Sequence, residues 1–199
     1  MRMFDLHEGL LESTIKNINP VHCVIIRSND VEQIIDILKL IPIVPNGSIW
    51  VYIRDERNKD GSLKLLPETL VFKINKLFYL ADKVVCQSDT FKRGMERREK
   101  NYLATSMVVL RFTVGTPEMS WTTQSLSNSV WERTLEEDHS WYSKQISYTC
   151  PIDGVVLDPL LNNGYVGEAS IRLGRHFVGI GMDVKKAYQH INAVASKIS

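Results

Sequence analysis

The chain has 199 residues, 44% of them hydrophobic, and a formal net charge of +1. This length allows one domain with a sizeable core, and the hydrophobic content excludes wholesale disorder. The near-neutral net charge indicates no strongly basic nucleic-acid surface, although a local basic patch would be compatible with it. No apolar run approaches the ~20 residues of a membrane span, and the N-terminus lacks the features of a signal peptide. We therefore expect an intracellular protein with no membrane partner, in the cytoplasm or nucleoid, or in the nucleus of a eukaryote.

The first 114 residues alternate between helical and extended apolar patterns. Leu6–Ile18 has apolar residues at helical spacing, and Val21–Ile26 is a β-branched run typical of a buried strand. A second helix is expected next, because Ser28, Asn29 and Asp30 are residue types that cap helix N-termini. The other elements predicted in this part are a strand at Ser48–Ile53, a long helix over Ser62–Leu80, and strands at Val84–Cys86 and Ser106–Val114.

The remainder of the chain holds a long segment without periodicity and then a strand–helix–strand unit. Gly115–Thr149 has no strong period and is expected to be a partly irregular excursion. Its tryptophans are interpreted as packing anchors: Trp121, Trp131 and Trp141. Val155–Asp183 has the pattern of a βαβ unit, and an amphipathic helix is predicted over Val184–Ile198. In open α/β sheets ligands bind at the carboxyl ends of such strands.

Three further groups of residues have both a functional and a structural interpretation. The polar stretch Phe91–Asn101 is either an exposed loop or a phosphate-contacting patch. The basic residues of that patch would be Lys92, Arg93, Arg97, Arg98 and Lys100. Cys23, Cys86 and Cys150 lie far apart, which favours buried small hydrophobes in a reducing compartment. The five histidines lack ligand spacing, so no metal site is expected.

The βαβ unit contains three segments that carry a resemblance: Asp158–Val166 (DPLLNNGYV), Arg172–Arg175 (RLGR) and Val178–Gly181 (VGIG). They resemble, without a gap, the cofactor-binding segment of DNA amino-methyltransferases, the enzymes that methylate adenine N6 or cytosine N4. The family pattern is a strand, then D-P-F-x-G-S-G-T-T, a helix, an Arg-rich corner with small residues, and a strand ending in G-I-E.

Most of the chain resembles the permuted branch of this family, in which the catalytic half precedes the cofactor half. Five segments in the family's order carry this resemblance: Asn46–Asp55, Ser62–Pro67, Val84–Cys86, Val108–Thr113 and Ser129–Trp131. The resemblance implies an α/β, Rossmann-like methyltransferase fold that uses S-adenosylmethionine (SAM), with a mostly parallel seven-stranded-type sheet and helices on both faces. It also implies one domain over residues 1–199, with a remnant catalytic half (1–114), the excursion (115–150) and a remnant cofactor-binding half (151–199).

The chain departs from the family at the catalytic loop. Family enzymes carry [D/N/S]-P-P-[Y/F/W] after the strand beside the cofactor strand. The first residue accepts a hydrogen bond from the target amino group, and the aromatic ring stacks on the flipped base. Here Arg27-Ser28-Asn29-Asp30 stands at that place, and the family motif occurs nowhere else in the chain. No catalytic residue is assigned, because a cation replaces the acceptor.

The chain also departs from the family in the cofactor segment. The resemblance implies that the remnant of a SAM site consists of Asp158, Pro159, Asn162, Gly164 and Asp183. Asn162 stands at the first glycine of the family's turn, and its side chain is expected to enter the space of the cofactor, although asparagine tolerates the left-handed conformation. Gly181 stands at the position where family enzymes have the acid that holds the ribose hydroxyls. We therefore expect no cofactor, with SAM as the cofactor if the protein is active.

These departures favour a methyltransferase-like protein that does not transfer methyl groups and binds DNA, RNA or protein. One open alternative is an active SAM-dependent DNA amino-methyltransferase with divergent motifs. Another is a subunit that supports an active methyltransferase-like chain in a homo- or hetero-oligomer. A Rossmann-like enzyme for a different nucleotide has little support, because the chain has neither G-x-G-x-x-G nor a phosphate-loop pattern.

Overall fold

The computed structural model describes residues 4–8, 15, 18–54, 64–75, 77–88, 106–115, 130–133, 139–161, 163–182 and 184–198. The elements with described bounds are, in chain order, β1 (Phe4–Glu8), β2 (Val21–Arg27), α1 (Val31–Leu40), β3 (Ile43–Arg54), α2 (Leu66–Ile74), β4 (Tyr79–Ser88), β5 (Ser106–Thr113), β6 (Val130–Arg133), α3 (Ser140–Thr149), β7 (Val155–Asp158), α4 (Tyr165–Arg172), β8 (His176–Gly181) and α5 (Lys185–Ile198). Within this described part, no helix is both long enough and apolar enough to cross a bilayer.

One sheet contains all eight of these strands, in the order β1-β8-β7-β2-β3-β5-β4-β6. Neighbouring strands are parallel except around β5, which runs antiparallel to both β3 and β4. The prediction of a mostly parallel α/β sheet is therefore confirmed. The described residues supply one strand more than the seven-stranded type that the resemblance implied.

Side-chain alternation along the central strands separates two apolar cores. On β3, Ile49, Val51 and Ile53 pack with α1 and α2, whereas Trp50 and Tyr52 pack with α3, α4 and α5. All five side chains are at most 2% exposed. A parallel sheet of this kind requires cover on both faces, and the two groups of helices provide it. The prediction of helices on both faces is thus confirmed.

The predicted opening helix is wrong at its start. Leu6–Glu8 belongs to β1, which pairs in parallel with β8 and sets Leu6 opposite Gly179. The edge of β8 offers main-chain donors and acceptors, and pairing with them satisfies the backbone of β1 in a way that a local apolar pattern does not reveal. Ile15, later in the predicted helix, is helical and buried.

The excursion between residues 115 and 149 is less irregular than predicted, because it contains β6 and the ten-residue helix α3. The buried side chains of α3 are Tyr142, Gln145 and Ile146, which is too little apolar surface to give a readable helical period. The prediction of a helix over Ser62–Leu80 is wrong at its C-terminal end, because α2 ends at Ile74 and β4 begins at Tyr79.

Close packing of α4 against α5 and β8 depends on Gly167. A Cβ at this position would lie 2.5 Å from Cδ1 of Ile191 on α5 and 2.7 Å from Cε1 of Phe177 on β8. Both neighbours are fully buried, so neither can withdraw into solvent. The missing side chain therefore sets how closely α4 approaches the sheet.

Replacing Gly167 with alanine is expected to lower the free energy of unfolding by about 1–3 kcal/mol, because overpacking outweighs the gain in helix propensity. Denaturant unfolding followed by circular dichroism measures the loss. The control is Asn192→Ala at an exposed position of α5, which should change the stability by less than about 0.5 kcal/mol. Equal midpoints for the wild type and Gly167→Ala would contradict the packing argument.

Candidate functional site

The topological switch point of the sheet lies between β2 and β7. These strands are parallel neighbours, but β7 continues through α4 to β8 on one side, whereas β2 continues through α1 to β3 on the other. Ligands bind at such a point in open α/β sheets. The structure therefore brings two of the predicted groups, the loop Arg27–Asp30 and Asp158, to the same edge of the sheet.

The loop after β2 is held by its own side chains. Asp30 caps α1, and its Oδ1 accepts a hydrogen bond from the Gln33 backbone N–H at 3.0 Å. Ser28 Oγ accepts from the Asp30 N–H at 3.0 Å, and Asn29 Oδ1 accepts from the Arg54 N–H at 2.8 Å. These bonds start α1 and fasten the loop to the end of β3. The predicted role of residues 28–30 as a helix cap is therefore confirmed.

Arg27 packs into an aromatic group at the end of β2. Its guanidinium carbon lies 6.0 Å from the ring centre of Tyr142 on α3. The Tyr142 ring makes an edge-to-face contact with Tyr52 of β3, at 5.6 Å between ring centres, and a tilted contact with Trp141. Trp141 packs against the core formed with α3, as predicted. Sequence reasoning missed Tyr142, because its surroundings in the chain are polar.

The residues of the loop after β7 also serve the conformation of its main chain. Asp158 is buried at the end of β7, and its Oδ1 accepts from the Leu160 N–H at 3.2 Å. Gly164 precedes α4 with φ of +82°, and a Cβ there would lie 3.2 Å from both Cα and O of Ala187 on α5. Positive φ and close helix contact thus explain this glycine by folding alone. Pro159 is buried in the same turn.

Gly181 has no room for a side chain. A Cβ at this position would lie 2.8 Å from the carbonyl oxygen of Leu161, a main-chain atom. The Leu161 N–H in turn donates to the Ile180 carbonyl at 2.8 Å, so the loop after β7 is fixed against the end of β8. The position that the sequence resemblance matches to the family's ribose-binding acid is therefore crowded by backbone, and an acidic side chain does not fit there.

Several predicted site residues lie outside the described part of the chain. From the predicted SAM remnant these are Asn162 and Asp183, and from the predicted basic patch they are Lys92, Arg93, Arg97, Arg98 and Lys100. Their roles stay predictions. Among the described residues, no group of histidine, cysteine or acidic side chains is arranged to hold a metal ion.

Two cysteines are core residues. Burial raises the pKa of the Cys23 thiol to about 12, with a further rise from the neighbouring Cys150, whose own pKa burial raises to about 11. Thiols that stay protonated are poor nucleophiles. Both residues therefore match the predicted role of small buried hydrophobes.

A buried carboxylate joins the three helices on one face of the sheet, and sequence reasoning missed it. Glu168 of α4 is 5% exposed and bonds Arg172 Nε at 2.8 Å and His190 Nε2 of α5 at 2.6 Å. His139, at the start of α3, places Nδ1 3.4 Å away. Burial alone would raise the pKa of Glu168, but these bonds and charges together hold it below its ordinary value. The only sequence signal is the i,i+4 spacing of Glu168 and Arg172.

The chain matches no protein-family model and no curated protein. Its structure is similar to solved structures. PvuII DNA methyltransferase, cytosine-N4-specific, is 11% identical with a TM-score of 0.77, over 98% of this chain and 92% of that chain. TTHA0409 from Thermus thermophilus, assigned as a DNA modification methylase and complexed with SAM, is 14% identical with a TM-score of 0.76, over 97% and 96%. The complex of M1.HpyAVI with SAM is 17% identical with a TM-score of 0.72, over 96% and 100%.

These comparisons show the fold. The chain has the α/β fold of DNA methyltransferases, and the likeness covers nearly all of both chains in each case. This confirms the fold that the sequence resemblance implied. Function depends on the site and not on the fold, so it requires a separate argument.

Replacing Glu168 with glutamine is expected to lower the free energy of unfolding by about 1–3 kcal/mol near neutral pH, because charge-assisted bonds to a buried carboxylate are lost. A lowered folded-state pKa stabilises the fold above the ordinary carboxyl pKa, and this contribution disappears as the pH falls through the folded-state value. The variant should therefore lose less stability than the wild type on acidification. Urea unfolding at roughly pH 7 and at several lower values down to about pH 2 measures both effects, because the loss begins below the ordinary carboxyl pKa and is complete only below the folded-state pKa.

The control for this variant is Glu32→Gln, which removes an exposed ion pair with Lys73 on the opposite face of the sheet. It should change stability by at most about 0.5 kcal/mol. Equal losses in the two variants, or an unchanged acid response in Glu168→Gln, would contradict the role given to Glu168.

Proposed function

We propose that this chain is a member of the permuted N6-adenine/N4-cytosine amino-methyltransferase family that no longer transfers methyl groups. In this proposal it serves as a nucleic-acid- or protein-binding subunit, alone or with an active methyltransferase-like chain. The observation that carries the proposal is that, in both loops at the switch point, side-chain oxygens accept hydrogen bonds from backbone N–H groups of the same loop or of the helix that follows.

The loop after β2 lies where a family enzyme would hold the target base. Methyl transfer to an exocyclic amino group needs an acceptor that holds the amino hydrogens and aims the nitrogen lone pair at the methyl group. Arg27 is a cation packed on Tyr142 and cannot accept such a bond. Asn29 and Asp30 each have a side-chain oxygen engaged with a backbone N–H. The loop is thus suited to begin a helix, and these two side-chain oxygens already hold backbone N–H groups.

The ends of β7 and β8 lie where a family enzyme would hold the cofactor. In the family, an acid at the position of Gly181 would bind the ribose, but its Cβ would lie only 2.8 Å from the Leu161 carbonyl oxygen. Asp158 remains at the end of β7, yet its Oδ1 bonds the Leu160 N–H of its own turn. A site that lacks the ribose acid loses charge-assisted hydrogen bonds, which are the stronger kind.

An active enzyme with divergent motifs is the second candidate. Two structures of similar fold, TTHA0409 and M1.HpyAVI, are complexes with SAM, and Asp158 ends its strand as the family pattern requires. In that case SAM would be the cofactor and DNA the substrate. The two candidates differ in a directly measurable property, the affinity for SAM.

Isothermal titration of the purified chain with SAM is expected to give no binding tighter than about 1 mM. Incubation with methyl-labelled SAM and DNA or RNA should leave the label in the nucleic acid at the level of the protein-free control. A methyltransferase with intact motifs, treated identically, validates both assays. Micromolar affinity or incorporation above background would overturn the proposal. Incorporation only in a complex with a second chain would identify a supporting subunit.

Restoring the family acid by Gly181→Asp is expected not to create SAM binding. The new Cβ collides with the Leu161 carbonyl, so the free energy of unfolding should fall by about 1–3 kcal/mol. The neighbouring substitution Met182→Asp places the same charge on an exposed side chain and should be nearly neutral for stability. Tight SAM binding by a stable Gly181→Asp protein would contradict the conclusion that backbone fills this position.

A further inference from the structure

The Tyr142 ring of α3 covers the carboxyl ends of β2 and β3, beside the switch point. Arg27 and Tyr52 are register partners on these two strands, and strand alternation puts both side chains on the face that α3 covers. The Arg27 guanidinium carbon lies over the Tyr142 ring at 6.0 Å from its centre, and the Tyr52 ring meets it edge-to-face at 5.6 Å. Tyr142 is fully buried among these neighbours and the apolar core around them.

The partners of the Tyr142 ring are of the kind with which proteins hold a planar heteroaromatic ligand. A guanidinium is attracted to the face of a ring, and a second aromatic side chain prefers to meet the ring edge-on or offset. Unstacked nucleobases are bound by stacking on Arg guanidinium planes and on aromatic side chains. The location also suits a ligand, because open α/β sheets bind ligands at the switch point. Tyr142 thus makes, from within the chain, the contacts that Arg27 and Tyr52 can offer to such a ring.

Several features make α3 a weak helix on its own. Besides Tyr142, its buried side chains are Gln145 and Ile146, and Gln145 Oε1 accepts no hydrogen bond from the described residues. A buried acceptor without a donor lowers the stability of the fold. No side-chain hydrogen bond caps the start of α3 at His139, and its first turn carries no acidic residue. The Tyr142 ring is therefore the largest fully buried group that fixes α3 over β2 and β3.

We propose that Tyr142 is an internal plug, whose ring occupies the space in which Arg27 and Tyr52 would otherwise hold a nucleobase. The contact is autoinhibitory, because a base cannot stack on the Arg27 guanidinium while α3 places the Tyr142 ring there. This inference rests on the proposed function and gives it a physical cause, since a filled base site prevents methyl transfer to an extruded base. It also restricts the proposed binding role, because nucleic acid bound by this chain would keep its bases outside the fold.

Ordinary core packing is the competing explanation for Tyr142, and the two explanations differ in what the space accepts once the ring is removed. A cavity left by a packing residue is lined by apolar side chains and takes apolar compounds of matching size. The space left by Tyr142 would be bordered by the Arg27 guanidinium and the Tyr52 ring. It should therefore take a nucleobase, and the guanidinium should contribute to the affinity.

Isothermal titration of Tyr142→Ala with free adenine tests the proposal. The variant is expected to bind adenine with a Kd below about 1 mM, whereas the wild type should show no binding. The control is Phe177→Ala, which removes another fully buried ring of the same core, one that packs against α4, and this variant should bind no adenine. If Tyr142→Ala is unfolded in buffer, the titration is made in trimethylamine N-oxide, which favours the folded state. A folded Tyr142→Ala that binds no adenine, or equal binding by Phe177→Ala, would overturn the plug.

A second substitution tests the part played by the guanidinium. Adding Arg27→Met to Tyr142→Ala removes the cation but keeps an unbranched side chain, and adenine should then bind about threefold more weakly or worse. Unchanged affinity in the double variant would show that the space is an unselective cavity and would overturn the plug. Failure of the proposed function is read from a different protein, because it requires the wild type to bind SAM or to transfer methyl groups. The two failures are therefore distinguishable.

Discussion

The parallel pairing of β2 with β7 is the contact on which the rest of the molecule depends. It sets Cys23 opposite Val156 and Val24 opposite Leu157, and it joins segments that lie more than a hundred residues apart in the chain. The Val155 N–H also donates to Nδ1 of His22 at 3.1 Å, which fixes the start of the pair. Because both strands lie inside the sheet with helices on both faces, their register cannot slip without moving apolar side chains to the wrong core. The switch point exists only because this pair forms.

The polar residues at that switch point mainly serve the fold. Asp30 begins α1, Asn29 holds the end of β3, and Asp158 closes the turn after β7. In the corner after α4, Arg175 also serves the fold. Its Nε and Nη2 donate hydrogen bonds to the Cys150 carbonyl at 3.1 and 2.8 Å, and these bonds hold the corner against the end of α3. Residues that would do chemistry in an active site are here engaged in backbone contacts. These contacts would maintain the fold whether or not the protein transfers methyl groups.

The sequence predicted the elements whose signals are local. The apolar runs of β2, β3, β5, β7 and β8 and the cap at Asp30 could be identified, because burial and capping leave a pattern in adjacent residues. By contrast, β1 could not be predicted as a strand, since only its neighbour β8 makes Leu6–Glu8 extended. The helix α3 was missed because its buried face includes the polar Gln145. The reason for Gly181 was equally hidden, because it depends on where the Leu161 carbonyl lies in space.

The position of β1 has a consequence for the order of folding. Its partner β8 is the last of the described strands, and Phe4 pairs with Phe177. Of the described strands, β1 is therefore synthesised first and has no partner until the six strands between it and β8 have been made. Closing so long a loop is entropically costly, and contacts of such sequence separation form late. We expect β1 to dock last, onto a sheet whose centre is already assembled, and to be the strand that detaches at the lowest free-energy cost.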